Sequence, residues 1–128
     1  KNYPAIKPAS DLDVPLPPGT DDARYLDLLA AHLPRAVEAA RPEAVLYLAG
    51  ADPFVGDRLG QLALTKAGLA QRDRAVFEIC RRHGLPLSVA MAGGYAPDVD
   101  DIVDIHAETV RLAARAACAA IAACAATS

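Results

Sequence analysis

The chain has no tryptophan, one methionine and only 5% aromatic residues. Large rings therefore cannot carry its interior, and alanine, leucine and valine must build it. Cysteine is scarce as well. Cys80, Cys118 and Cys124 are three, so they cannot all pair within the chain, and none stands in a CxxC. That argues against a disulfide framework and for a reducing, cytoplasmic setting, with the thiols acting as small apolar groups. Charge of one sign is also lacking. The net charge is −3, the sequence pI is about 5.5, and Lys and Arg gather on no one stretch. This excludes the basic footprint of a direct nucleic-acid binder. No apolar run is long enough for a membrane span: the alanine-rich stretch 113–126 is short, weakly apolar and interrupted by Arg115. What is present suits one globular domain at most, with 128 residues, 53% hydrophobic and 23% charged. The chain opens on Lys1-Asn2-Tyr3-Pro4, with neither methionine nor signal peptide, and the expectation is that something upstream has been removed.

Residues 1–20 carry Pro4, Pro8, Pro15, Pro17 and Pro18, which reads as an extended arm. From residue 21 the pattern alternates between helix and strand to the C-terminus. Thr20, followed by Asp21 and Asp22, predicts a helix start with Thr20 as N-cap, running to about Ala40 with Pro34 inside. Ala44–Gly50 is a continuous apolar run, predicted to be a strand buried on both faces. Thr65 and Gly84 bound a second helix, with Leu69, Arg72, Val76, Ile79 and Cys80 on its inner side. Leu85–Met91 reads as a second buried strand, and Asp98 as the cap of a long final helix. The inner face of that helix is predicted at Val99, Ile102, Val103, Val110, Ala114, Cys118 and Ile121. Strands alternating with helices imply an α/β fold with a parallel sheet. Two strands make a thin sheet, so an unpaired edge and an exposed apolar face are expected, and with them self-association or pairing with a missing N-terminal part.

In parallel α/β sheets ligands bind beyond the carboxyl ends of the strands. Two loops leave those ends, Gly50-Ala51-Asp52 onward and Ala92-Gly93-Gly94-Tyr95. A carboxylate such as Asp52 there can ligate a metal, although capping a turn is the commoner use of Asp. A tyrosine hydroxyl on a glycine turn can donate to a developing oxyanion. Its bland alternative is a partly buried ring with its hydroxyl in water. His32, His83 and His106 fall in no ligand spacing. Asp98, Asp100, Asp101 and Asp104 crowd a helix start, where the helix dipole favours acids, and do not match a calcium loop.

Taken in order, several segments together resemble the histone deacetylase superfamily, including its bacterial acetylpolyamine and acetoin-utilisation relatives. They are Asn2-Tyr3-Pro4, Asp13-Val14-Pro15-Leu16-Pro17, Gly19-Thr20-Asp21, Tyr47-Leu48-Ala49-Gly50-Ala51-Asp52, Gly56-Asp57-Arg58-Leu59-Gly60, Leu64-Thr65 and Ala92-Gly93-Gly94-Tyr95. The resemblance implies the C-terminal part of an arginase/deacetylase-type three-layer α/β/α fold. It implies that Asp52 is one of three protein ligands of a catalytic zinc, and that Tyr95 polarises the acetyl carbonyl. It also implies that Leu59 lines an acyl-lysine tunnel whose wall Gly93 and Gly94 shape. The family's paired histidines and its other zinc-ligating Asp and His match nothing in this chain, and Met91-Ala92 shortens the usual glycine run. The expectation is therefore a fragment of a zinc-dependent deacetylase acting on acetylated lysine or an acetylated small amine. Zinc would belong to the complete protein, with none bound by this chain alone, which would be inactive. The alternative is a non-catalytic α/β assembly or binding module that keeps remnant loops.

Overall fold

The computed structural model describes Ile6 and residues 8–126. The Asn2-Tyr3-Pro4 part of the resemblance lies outside them. Five elements follow one another: α1 (Asp22–Ala40), β1 (Val45–Ala49), α2 (Lys66–His83), β2 (Leu87–Met91) and α3 (Val99–Ala126). Among the described residues, no helix is long and apolar enough to cross a membrane.

α1 starts one residue later than the Thr20 cap predicted. The Thr20 hydroxyl lies in the turn before the helix, donating to the Pro17 carbonyl at 2.7 Å. Asp21 caps instead, accepting the Arg24 amide at 3.0 Å. The helix passes through Pro34 and closes on Arg41, a left-handed residue with φ 44° that donates to the Val37 carbonyl. Pro42, next along, cannot continue the helix.

Thr65 and Gly84 bound α2 as the pattern predicts. Thr65 also joins two helix starts. Its hydroxyl accepts from the Gly68 amide at 3.0 Å and donates to Asp22 at 2.6 Å, while its own amide donates to Asp22 at 2.8 Å. Replacing Thr65 with alanine removes the cap and one strut between α1 and α2. The expected loss is about 1–2 kcal/mol, the upper part of the range for caps. Urea unfolding checks this, with Thr65→Ser retaining most of the stability.

β1 and β2 pair in parallel, from Val45 opposite Leu87 to Ala49 opposite Met91. One sheet face presents Val45, Tyr47, Leu87 and Val89 to α2, where Val76, Phe77, Ile79 and Cys80 receive them. Leu33 and Val37 of α1 close the same cluster, and Leu112 of α3 packs beside Phe77. The Tyr47 and Phe77 rings meet edge to face, 6.1 Å between centroids. The other face is not buried as predicted. Leu46 is 83% exposed and Leu48 70%, opposite Ser88 and Ala90. The helices of this chain cover only one side of the sheet. A continuous apolar run is what a strand between two helical layers needs, and a single layer leaves its alternate residues bare.

α3 also departs from the prediction. Asp98 accepts the Asp100 amide at 3.0 Å, as a cap should. The buried side of the helix, however, runs through Ile105, Thr109 and Leu112, while Val99, Val103, Val110, Cys118 and Ile121 are exposed. Both sides of α3 carry apolar residues, so periodicity could not choose between them. A threonine is buried here because a carboxylate of α2 receives its hydroxyl, as described below.

Candidate active site at the strand exits

Parallel neighbouring strands deliver their exit loops to one rim, and a backbone bond joins the two: the Ala51 amide donates to the Gly93 carbonyl at 2.6 Å. Asp52 follows immediately, in a turn closed by the Phe54 amide on the Ala51 carbonyl. Its carboxylate lies against the other exit. A Cβ on Gly93 would fall 1.9 Å from Asp52 Oδ1, so only glycine leaves that space. The structure therefore brings Asp52 onto the Gly93-Gly94-Tyr95 turn, and Asp52 caps neither flanking helix, since Thr65 caps α2.

Tyr95 is 54% exposed, with its backbone held on both sides. Its amide donates to Asp57 Oδ2 at 2.5 Å, and its carbonyl accepts from Arg58 Nε at 3.2 Å. The other Asp57 oxygen accepts the amides of Leu59 at 2.8 Å and Gly60 at 2.6 Å. Burial pushes the Asp57 carboxyl up, but these three amides and the nearby Arg58 outweigh it and hold the group below its ordinary value. Leu59 stands exposed at the tip of this loop. Gly60 packs so closely on the Asp52 carbonyl that a Cβ would come within 1.9 Å of it.

Behind the rim lies a buried charged network. Arg72 is 4% exposed and Asp73 1%. Arg72 Nη1 donates to the Gly50 carbonyl at 2.7 Å, fixing the end of β1 two residues before Asp52. Its Nε donates to Asp73 Oδ1 at 2.9 Å; Nη2 lies 2.8 Å from the same oxygen without hydrogen-bond direction. Asp73 also receives the Tyr47 hydroxyl and, at 2.6 Å, the Thr109 hydroxyl. Burial pushes the Tyr47 hydroxyl far up; Arg72 opposes this, while accepting Asp73 adds to it, so Tyr47 stays a proton donor. One carboxylate thus joins β1, α2 and α3.

Zinc takes three protein ligands in a catalytic site. Among the described residues no group of three His, Cys, Asp or Glu could hold a metal ion. His32 lies in α1, His106 in α3, and His83 ends α2. Asp52 contributes a single carboxylate to this rim, with no His, Cys, Asp or Glu pair beside it to complete a group of three among the described residues.

The parallel α/β unit forms part of an arginase/deacetylase-type three-layer α/β/α fold, as its likeness to a solved structure of that class shows. Its structure resembles that of an acetylpolyamine aminohydrolase from Burkholderia pseudomallei, with a TM-score of 0.63 at 21% identity, over 84% of this chain and 32% of that one. The histone deacetylase domain family model matches residues 5–122, and the chain belongs to that family. It is 46% identical over 105 residues to an uncharacterized protein of Picosynechococcus sp., covering 82% of this chain and 35% of that protein. It is 38% identical over 85 residues to histone deacetylase 2 of Arabidopsis thaliana, covering 66% of this chain and 22% of that protein. The chain thus spans about a third, or less, of the length of the curated relatives it matches.

Reading the strand exits singled out Asp52 and Tyr95, and the family resemblance added Leu59, Gly93 and Gly94; neither gave a role to Asp57, Arg58 or Asp73. A signal did exist for one of these. Arg72 and Asp73 are adjacent charges, and Arg72 falls on the inner stripe of an amphipathic helix. A buried charge needs a partner. For Asp57 the partner lies 38 residues away, beyond the reach of any local pattern.

Proposed function

We propose that this chain supplies part of the active site of a zinc-dependent deacetylase, one that removes acetyl from an acylated lysine or a small acylated amine. Asp52 is one metal ligand, Tyr95 the donor to the oxyanion, and Leu59, Gly93 and Gly94 line the acyl channel. The observation that carries the reading is the Asp52 carboxylate lodged against Gly93, on the turn that presents Tyr95. Membership of the histone deacetylase family supports it. When bound, zinc supplies Lewis-acid polarisation of the amide carbonyl and an activated water. The Tyr95 hydroxyl, partly exposed on a pinned backbone, donates to the oxygen on which negative charge develops. The remaining metal ligands and the acid–base groups come from the rest of the complete domain.

That remainder also fits the uncovered sheet face. Leu46 and Leu48 stand where a three-layer fold places its second helical layer, and we assign the missing part of the domain to them, with self-association as the substitute when it is absent. A cytoplasmic setting is supported by Cys80, a buried free thiol. The reading involves no direct contact with nucleic acid or membrane.

Two measurements test the function. The complete protein should bind zinc and release acetate from an acetyl-lysine peptide or an acetylated diamine, and Asp52→Ala should abolish both. The 128-residue chain alone should release none. Zinc-dependent turnover by this chain alone, or full zinc content in Asp52→Ala, would overturn the assignment.

A further inference from the structure

Tyr95 follows two glycines and lies four residues beyond the last residue of β2, so the sheet ladder no longer restrains it. A phenol on such a backbone would sample many positions. Yet both backbone groups of Tyr95 are engaged, and both by residues of one loop, Asp57 on the amide and Arg58 on the carbonyl. The same Asp57 carboxylate stiffens its own loop through the amides of Leu59 and Gly60. Gly60 in turn packs on the carbonyl of Asp52. One side chain therefore connects the loop that bears Leu59, the backbone of Asp52 and the backbone of Tyr95.

We propose that Asp57 is a positioning residue for Tyr95, setting where the phenol stands relative to Asp52, with Arg58 holding the opposite side of the same residue. The inference rests on the reading of Tyr95 as oxyanion donor and adds the device that aims it. Asp57 suits the task because a carboxylate accepts from several amides at once, and bonds to an ionised acceptor are about twice as strong as neutral ones. An asparagine of the same shape would turn one acceptor into a donor facing a donor. Asp57 touches neither substrate nor metal in this scheme. Its effect passes through the Tyr95 backbone, and misplacing a reacting group by about 1 Å can cost on the order of 100-fold in rate.

Asp57→Asn in the full-length protein is the test, with two separate readouts. Hydrogen exchange at the Tyr95 amide should accelerate at least roughly tenfold, as expected for losing a charge-assisted bond, while amides of β1 and α2 keep their protection. The kcat on an acetyl-lysine peptide should fall roughly 10- to 100-fold with KM nearly unchanged. Combined with Tyr95→Phe, the change should add little further loss. Arg58→Met removes the guanidinium bond but leaves the Arg58 amide donating to the same carbonyl at 3.4 Å, so it should move both readouts the same way by less, and it carries the test if Asp57→Asn does not fold. Unchanged exchange at Tyr95, or an unchanged kcat despite faster exchange, would overturn the proposal. A Tyr95→Phe enzyme at full rate would instead overturn the oxyanion role, leaving amide exchange to decide whether the clamp exists.

Discussion

Asp73→Ala is expected to destabilise the fold by about 3–5 kcal/mol, the range for removing one partner of a buried ion pair. Asp73 receives Tyr47, Arg72 and Thr109 in a region nearly closed to water. Without it the Arg72 cation stays buried with no counter-charge, and two hydroxyls lose their acceptor. Domains are held by only about 5–15 kcal/mol, so the variant should unfold over a large part of the accessible denaturant range. Removing both charges should behave differently. An Arg72→Met, Asp73→Leu pair leaves no orphaned ion and should recover much of the loss, since buried pairs contribute little net stability over apolar groups of similar volume. Guanidinium unfolding of the single and double variants makes the comparison. A single variant within about 1 kcal/mol of the parent would mean that water reaches the network, contrary to its burial.

Gly93→Ala is expected to separate the site from the fold. The new methyl would lie 1.9 Å from Asp52 Oδ1, far inside contact. The obstacle is the end of a flexible side chain, so Asp52 can swing aside at little cost to folding, on the order of 1 kcal/mol or less for a change outside the core. Its carboxylate then leaves the position from which it would ligate zinc. In the complete protein, zinc affinity should fall at least 10- to 100-fold, the usual penalty for disturbing the shell that orients a ligand. Deacetylation should fall with it. Gly94→Ala is the contrast: its methyl would meet Ala51 Cβ and Ile102 Cδ1, each at 3.0 Å, and should tax packing instead. Metal content and thermal unfolding on both variants distinguish the two. Unchanged zinc affinity in Gly93→Ala would remove Asp52 from the metal centre.

The expectations that held and those that failed differ in the range of the forces behind them. Thr65 and Gly84 marked the ends of α2 because a cap is settled by atoms three or four residues apart. The Thr20 cap failed because the next residue, Asp21, is the one whose carboxylate reaches the free amide of the first turn, a choice between neighbouring caps that residue type alone does not reveal. On α3 the two apolar stripes were equivalent until Asp73, 36 residues earlier, gave Thr109 a reason to face inward. The strands were right in place and pairing; the burial on both faces read from their apolar runs failed, while the exposed apolar face expected of a thin sheet is there, because burial depends on how many layers surround them.

The order of residues was therefore enough to give the element sequence and the parallel class, since periodicity and caps are local properties, and its ordered motifs carried the family likeness, which in turn proposed the five site positions. Contact between distant segments was needed to seat Asp52 on Gly93, to tie the Tyr95 backbone to Asp57, to bring Arg72 onto the Gly50 carbonyl and to bring Thr109 onto Asp73. Those arrangements follow from which strand exits become neighbours and which charges are shut away from water, and neither exists until the chain has closed on itself.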